Sequence, residues 1–566
     1  MEKMEKRKTA PESPSPNDRW RLVRGVRSSD DHYVLIEGPT GKHWLSASHL
    51  TGDDRGTLNK LGAAIGMPFV TSRIINSLKE AVQEFADYKE GAVATQPGWI
   101  GTAFALGTGE IVQATNDASQ YISVINPDAR FEPAGTLRDW HAAIHPLIED
   151  QPLLRFLIGF SLAPVLLAWA TSDILNPIME LYGDPEAGKT TAFTLMASMW
   201  AGDSKSTVGG GVSGDMTPLY LDVERRRFAG MCLPLDELET ITDAKQRWEM
   251  IVRLVFGGSG TETRKRLTDS LSGPSIRSSI VMTANTSLEE FGRGQPEERQ
   301  KAMSTRVTRI RLTQVPAADS FAIFEALPTG YSEVTDAVKA LMATASKLHG
   351  IAGPHFAKEI VGCLHPDPKH FQTSMMAKLG QVRSEIEDSG LSFGDRHLNR
   401  LALVATTLIM AEEVGTLLPG RQTPTETVLW IARRLKAKDE VVKRTKPSAA
   451  LRRLVRANRR RFLPLSKLFL KSPWYASENH GCVDEAKSIL YLQPQWLESR
   501  LRRPDQSPTR LKALGILCLT PSEAAKRNLT ATPSTLLKLG FDRRVYAVSL
   551  KAIGLNSRLH RAKDGV

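Results

Sequence analysis

Residues Gly183-Asp184-Pro185-Glu186-Ala187-Gly188-Lys189-Thr190 join an apolar run, Pro177 to Tyr182, to a stretch of helical composition, Thr191 to Trp200. The pattern GxxxxGK[ST] carries its meaning only in that setting, with a strand before it and a helix after it. The backbone between must curl until its N–H groups point inward, a geometry in which a Cβ at either end would clash, and Gly183 and Gly188 meet that need. A loop of this kind cradles phosphate groups. Lys189 would reach the β- and γ-phosphates, Thr190 would offer its hydroxyl to Mg²⁺, and the helix start adds the positive end of its dipole. Gly183, Asp184, Pro185, Glu186, Ala187, Gly188, Lys189, Thr190 and Thr191 are therefore the expected ATP-binding segment.

A phosphate loop needs carboxylates from a second strand. Phe228 to Leu235 is apolar and ends in Asp236-Glu237, 47 residues after Lys189. Asp236 is placed to hold Mg²⁺ through water and Glu237 to polarise an attacking water, although Pro234 removes one ladder hydrogen bond from that strand. Ser279 to Thr283 reads as a third apolar strand, tipped by Ala284-Asn285. Asn285 either orients the attacking water or is a plain turn asparagine. Three arginines then alternate through Met303 to Leu312. Arg306 is the candidate for a cation that reaches a neighbour's ATP in a ring, against an edge strand with solvated arginines. Gly257-Gly258-Ser259-Gly260 leads into Arg264-Lys265-Arg266, either an ordinary exposed basic turn or a loop that grips single-strand phosphates in a central channel.

At 566 residues the chain exceeds one hydrophobic core. Residues 1–19, charged and Pro/Ser-rich without an apolar centre, read as a disordered tail and not as a signal peptide. Residues 20–130 mix alternating segments and turn signals with helical periodicity, an α+β domain. Residues 131–316 alternate short apolar strands with helices and hold the loop, which predicts a parallel sheet; residues 317–440 are helical and suggest a lid. Residues 441–566 form a basic block: from Leu451 on it carries 23 Lys/Arg against 8 Asp/Glu, more than the whole net charge of +12. That is the electrostatic footprint of a phosphate-backbone binder. Six arginines between Arg452 and Arg461 surround Leu451, Leu454 and Val455 as in a basic amphipathic helix. Helix-like Pro508 to Leu517 and hairpin-like Leu536 to Leu550 suggest a winged helix, which would read duplex or forked DNA. The longest apolar run, Phe156 to Ala170, is shorter than the ~18 residues of a membrane span and contains Pro164. A cytoplasmic protein with no membrane partner is expected. Cys232, Cys363, Cys482 and Cys518 show no metal-ligand spacing and read as buried free thiols.

The order loop, Asp-Glu, strand-tip Asn and later Arg resembles an AAA+ module. Gly98-Trp99, Phe104 to Leu106, the loop, the acidic strand, Gly257 to Arg266 and Arg400 to Leu403 further resemble the domain of unknown function 927 family of phages, plasmids and genomic islands. The resemblance implies ATP and Mg²⁺ as cofactors, Asn285 as a sensor 1 residue and Arg400 as a sensor 2 contact. This chain has Ala284-Asn285 where the family tends to carry Gly-Glu. Together these features point to a multidomain α/β protein with an AAA+ type core. The expected activity is that of a DNA motor, a replicative helicase of a phage or mobile element acting on single-stranded or forked DNA as a homo-oligomeric, hexameric ring. The rivals are an ATP-switched origin-binding initiator and a protein-remodelling or transposition-associated ATPase.

Overall fold

The structure, a computed structural model, describes residues 20–28, 31–51, 55–67, 71–115, 120–202, 211–237, 240–241, 243–259, 276–292, 296–444, 447–467, 480–500, 508–513, 515–518, 530, 534–538 and 544–555. They form two compact units. One comprises the described residues up to Asn285 with Lys301–Arg433, the other those of Thr286–Gln300 with those from Arg434 on. The boundaries expected after residues 130 and 316 fall inside the first unit. The expected tail, residues 1–19, and the basic segment Arg264-Lys265-Arg266 lie outside the described residues.

The first unit opens with β1 (Arg21–Arg27), β2 (His32–Gly38), β3 (Gly41–Ser46), α1 (Ala47–Thr51), α2 (Arg55–Ile65), α3 (Ser72–Glu84) and β4 (Tyr88–Glu90). The strands pair in the order β3-β2-β1-β4. Alternation along β2 turns Val34 and Ile36 inward, where they meet Leu58, Leu61 and Leu78 of the helices. Five short strands follow: β5 (Ala92–Ala94), β6 (Gly98–Ile100), β7 (Ala103–Ala105), β8 (Ile111–Val112) and β9 (Tyr121–Ser123). Trp99, in the β6–β7 hairpin, donates its indole N–H to the Val165 carbonyl at 2.8 Å and packs edge-on against Trp169. That fastens the hairpin to α6 (Pro164–Leu167), which follows α4 (Leu137–Ile148) and α5 (Pro152–Leu162).

Every residue of α5 is buried, which accounts for the long apolar run as core helix. Its single charge, Arg155, is met by the Glu412 carboxylate and the Leu418 carbonyl. Among the described residues no helix is long and apolar enough to cross a membrane.

Next in chain order come β10 (Ile178–Gly183), α7 (Lys189–Ser198), β11 (Val212–Ser213), α8 (Pro218–Arg227), β12 (Cys232–Asp236), α9 (Ala244–Val252), β13 (Ser279–Ala284), α10 (Leu288–Phe291), α11 (Glu297–Ser304) and β14 (Val307–Leu312), of which α10 and the start of α11 belong to the second unit. The five strands form one parallel sheet in the order β11-β12-β13-β10-β14. All six residues of β13 are buried, as a parallel strand requires. Pro234 is tolerated because β11 pairs only with Leu235 and Asp236, so the ladder on that side begins after the proline.

Five helices follow: α12 (Val334–Lys347), α13 (Ala352–Leu364), α14 (Pro368–Asp388), α15 (Asp395–Glu413) and α16 (Pro424–Arg444). Phe371, Met375, Leu379, Val382 and Ile386 give α14 one buried stripe at helical spacing.

The second unit contains α17 (Pro447–Ala457), β15 (Phe462–Pro464), β16 (Gly481–Asp484), β17 (Ile489–Leu492), α18 (Pro494–Arg500), α19 (Pro508–Ala513) and β18 (Tyr546–Ser549), with a sheet in the order β15-β16-β17-β18. This corrects one reading: the helix from Pro508 stops at Ala513, and Leu517 instead bridges to Val548. Of the hairpin expected within Leu536 to Leu550, residues 539–543 lie outside the described residues, and β18 runs antiparallel to β17, with Val548 opposite Leu490, both fully buried. Of the cysteines, Cys232 and Cys482 are buried as expected, but Cys363 is exposed.

Candidate functional site

The chain leaves β10 for the far edge of the sheet, returns strand by strand to β13, and then crosses to β14 on the other side of β10. The direction of winding thus reverses at β10, and in open parallel sheets a ligand crevice opens at the carboxyl ends of the strands beside such a switch. The glycine-rich loop occupies that place, between the carboxyl end of β10 and the start of α7.

Local backbone geometry explains its residue types. Gly183 adopts φ +138° and Gly188 φ +86°, both in the region that favours glycine. A Cβ on Gly183 would lie 2.0 Å from the Leu312 carbonyl oxygen, and one on Gly188 would lie 2.8 Å from Ile323. Glu186, between them, is also left-handed at φ +60°. Lys189 folds back over the loop, its amine donating to the carbonyls of Gly183 at 3.2 Å and Asp184 at 2.7 Å. Thr191 is buried in the helix start, while Thr190 is exposed.

The loop forms one wall of a cavity of about 920 Å³, which Asp236, Glu237 and Asn285 also line. These residues come from the carboxyl ends of β10, β12 and β13, brought side by side by the strand order. Sequence reasoning missed the residue that organises the acidic pair. The Thr283 hydroxyl, 3% exposed in β13, donates to the Asp236 carboxylate and accepts the Glu237 backbone N–H at 3.1 Å. Glu237 itself sits at φ +52°, a conformation that costs an L-residue free energy and clusters at functional sites. Its side chain is exposed to the cavity. A hydroxyl, a carboxylate and a lysine facing a curled loop form a donor set of hard oxygens and a cation, the chemistry that suits Mg²⁺ bridged to phosphate.

Arg306 does not join this cavity. It precedes β14, whose Val307 pairs with Ile178 and whose Leu312 pairs with Gly183, so it lies at the opposite, amino edge of the sheet. Six residues of strand put it roughly 20 Å from the loop at the usual rise. Its guanidinium stands 4.7 Å from the Phe256 ring centroid and donates to the Ala302 carbonyl at 2.9 Å. Arg400 occupies the same edge. It is 5% exposed and donates to the carbonyls of Thr305 at 2.8 Å and of Arg306. Burial and nearby Arg396 push its pKa down to about 9. This corrects the sensor 2 expectation: Arg400 caps backbone carbonyls on the side of the sheet away from the cavity.

In the second unit, Leu451 and Val455 of α17 enter the core while Arg453, Arg456, Arg459, Arg460 and Arg461 stay exposed. The basic face is therefore open to solvent.

A parallel sheet carrying a glycine-rich loop at its switch point defines an α/β fold whose ligand crevice lies at the carboxyl edge. The family described as domain of unknown function DUF927 matches residues 32–260, less than half of the chain. The match takes in β2 to β4 of the first sheet but not β1, together with Trp99, the loop and the acidic pair, and stops before Asn285 and Arg306. No curated protein matches the sequence. Among solved structures, one titled "SCCmec type IV Cch - active helicase" shares the fold with a TM-score of 0.53 at 13% identity, covering 95% of each chain. The apo C-terminal region of NrS-1 aligns with a TM-score of 0.24 at 10% identity, over 72% of this chain and 91% of that one.

Proposed function

We propose that this chain is an ATP-dependent motor acting on DNA, a helicase of a phage or mobile genetic element that works as a homo-oligomeric ring. The observation that carries the reading is the meeting of Lys189, Thr190, Asp236, Glu237 and Asn285 around one cavity behind a glycine-rich loop. The Gly183 to Thr191 backbone and Lys189 hold the triphosphate of ATP. Thr190 and, through water, Asp236 would hold Mg²⁺, which would supply positive charge to offset that of the phosphates. Glu237 accepts a proton from the attacking water and Asn285 orients that water. Thr283 keeps the carboxylate of Asp236 and the backbone of Glu237 in register.

Arg306, far from its own cavity, acts on the ATP of a neighbouring subunit, supplying planar charge to the transition state. Single-stranded or forked DNA is the substrate, held in part by the exposed arginines of α17. The fold shared with an active helicase and the DUF927 match support the choice of a helicase over other users of ATP.

The test is binding and hydrolysis of ATP by the whole chain and by Lys189→Ala. Mg²⁺-dependent hydrolysis that Lys189→Ala abolishes supports the reading; hydrolysis that persists in the variant, or none in the wild type, overturns it. Slow turnover with tight sequence-specific DNA binding would instead mark an initiator, and turnover indifferent to DNA a protein-remodelling ATPase.

A further inference from the structure

The loop accounts for only one end of the cavity. Its other walls mix polar residues, Gln314, Glu325 and Thr335 among them, with an aliphatic set: Val315 and Ile323 come from the strap that follows β14, Leu327 from the end of that strap, and Val334 and Val338 from one face of α12. Val315, Leu327 and Val334 are 76%, 42% and 50% exposed, and they make up three of the eight large hydrophobic side chains left exposed among the described residues. Apolar side chains gathered at a cavity mouth mark a surface that something covers.

The strap is a fixed wall. Gln151, 2% exposed, holds it at two successive residues, donating to the Ala326 carbonyl and accepting the Glu325 N–H, both at 2.8 Å. Thr313 and Phe321 close its base through a backbone hydrogen bond of 2.8 Å. Ile323 lies against Gly188, so the apolar wall is continuous with the loop. The whole cavity, about 920 Å³, is of a size that encloses an entire small ligand and far exceeds a phosphate chain.

We propose that Val315, Ile323, Leu327, Val334 and Val338 form the nucleobase subsite of this cavity and take a purine ring. The proposal rests on the reading that the loop holds the triphosphate. The ring lies between the strap and the first turns of α12, held by aliphatic contact on its faces. A purine covers more of the exposed valine and leucine surface than a pyrimidine does, so ATP binds more tightly than CTP.

The experiment is calorimetry of the full chain with ATP, CTP and inorganic tripolyphosphate, each with Mg²⁺, on wild type, Val334→Asp, Val315→Asp and Lys189→Ala. Two half-exposed or more exposed positions are used so that a folding defect in one leaves the other to decide. The expected result is weaker ATP binding by about tenfold in the aspartate variants, with tripolyphosphate affinity kept, and loss of all three ligands in Lys189→Ala. Unchanged ATP affinity in both aspartate variants overturns the subsite, as does wild-type tripolyphosphate binding as tight as ATP. A change of oligomeric state without a change in ATP affinity also overturns it, because a second copy would then be what covers these side chains. Failure of the wild type to bind tripolyphosphate at all refutes the loop reading itself, and the subsite with it.

Discussion

Thr283→Val removes one hydroxyl from the floor of the cavity and leaves volume and strand preference almost unchanged. Position 283 is 3% exposed, so no solvent replaces the lost group. Two hydrogen bonds disappear: the one donated to the Asp236 carboxylate and the one accepted from the Glu237 N–H. A hydrogen bond to a charged partner is worth about 1.5–3 kcal/mol, and each 1.36 kcal/mol is a tenfold change in rate, so the expected loss is about 10- to 160-fold. The loss falls on kcat, because Asp236 and Glu237 act on the metal and the water while Lys189 and the loop hold the phosphates. The assay is phosphate release at saturating ATP and Mg²⁺, with Thr283→Ser as the variant that restores the hydroxyl. Turnover of Thr283→Val within about twofold of wild type, well below the 10-fold floor set by one charged hydrogen bond, would refute the claim that Thr283 positions the acidic pair.

Glu237 carries left-handed strain, so Glu237→Gly should raise the thermal midpoint of the first unit, the release being about 1–2 kcal/mol, while abolishing hydrolysis; a lowered midpoint would contradict it. His397 is pushed down to about 3 by burial and by the Arg400 and Arg309 cations, so it stays neutral in the folded chain while the unfolded chain protonates below about pH 6.5. Stability should fall by about 1.4 kcal/mol for each pH unit between 6.5 and 3 from this group, a slope that His397→Leu removes in denaturant titrations. An identical slope in the variant would refute it. Replacing Arg453, Arg456 and Arg460 with Gln should weaken DNA binding and flatten its dependence on salt, the logarithmic slope falling by about 0.9 for each phosphate no longer neutralised. An unaltered salt slope would remove α17 and the arginines that follow it from the DNA-binding surface.

The loop was legible because its constraint is local: two glycines, a lysine and a threonine between a strand and a helix are all neighbours in sequence. Asp236-Glu237 and Asn285 were legible for the same reason, each at the tip of an apolar run. Thr283 was not, since its role exists only once β12 and β13 pair and bring residues 47 apart into hydrogen-bonding range. Its one sequence signal is a hydroxyl within an otherwise apolar strand tip. Arg400 misled for the complementary reason: an arginine on an amphipathic helix carries no mark of which sheet edge it will cap. In the second unit, Tyr546 to Ser549 read correctly as a strand, but its partner lay more than fifty residues upstream, beyond what turn signals can reveal.

The most direct measurement is the ATPase rate with and without forked DNA, alongside strand separation, for wild type, Lys189→Ala and Glu237→Gln. A DNA motor built on this cavity gives hydrolysis that DNA stimulates and that separates the fork, with both activities lost in each variant. Hydrolysis that ignores DNA, or a fork opened equally well by Lys189→Ala, would contradict it.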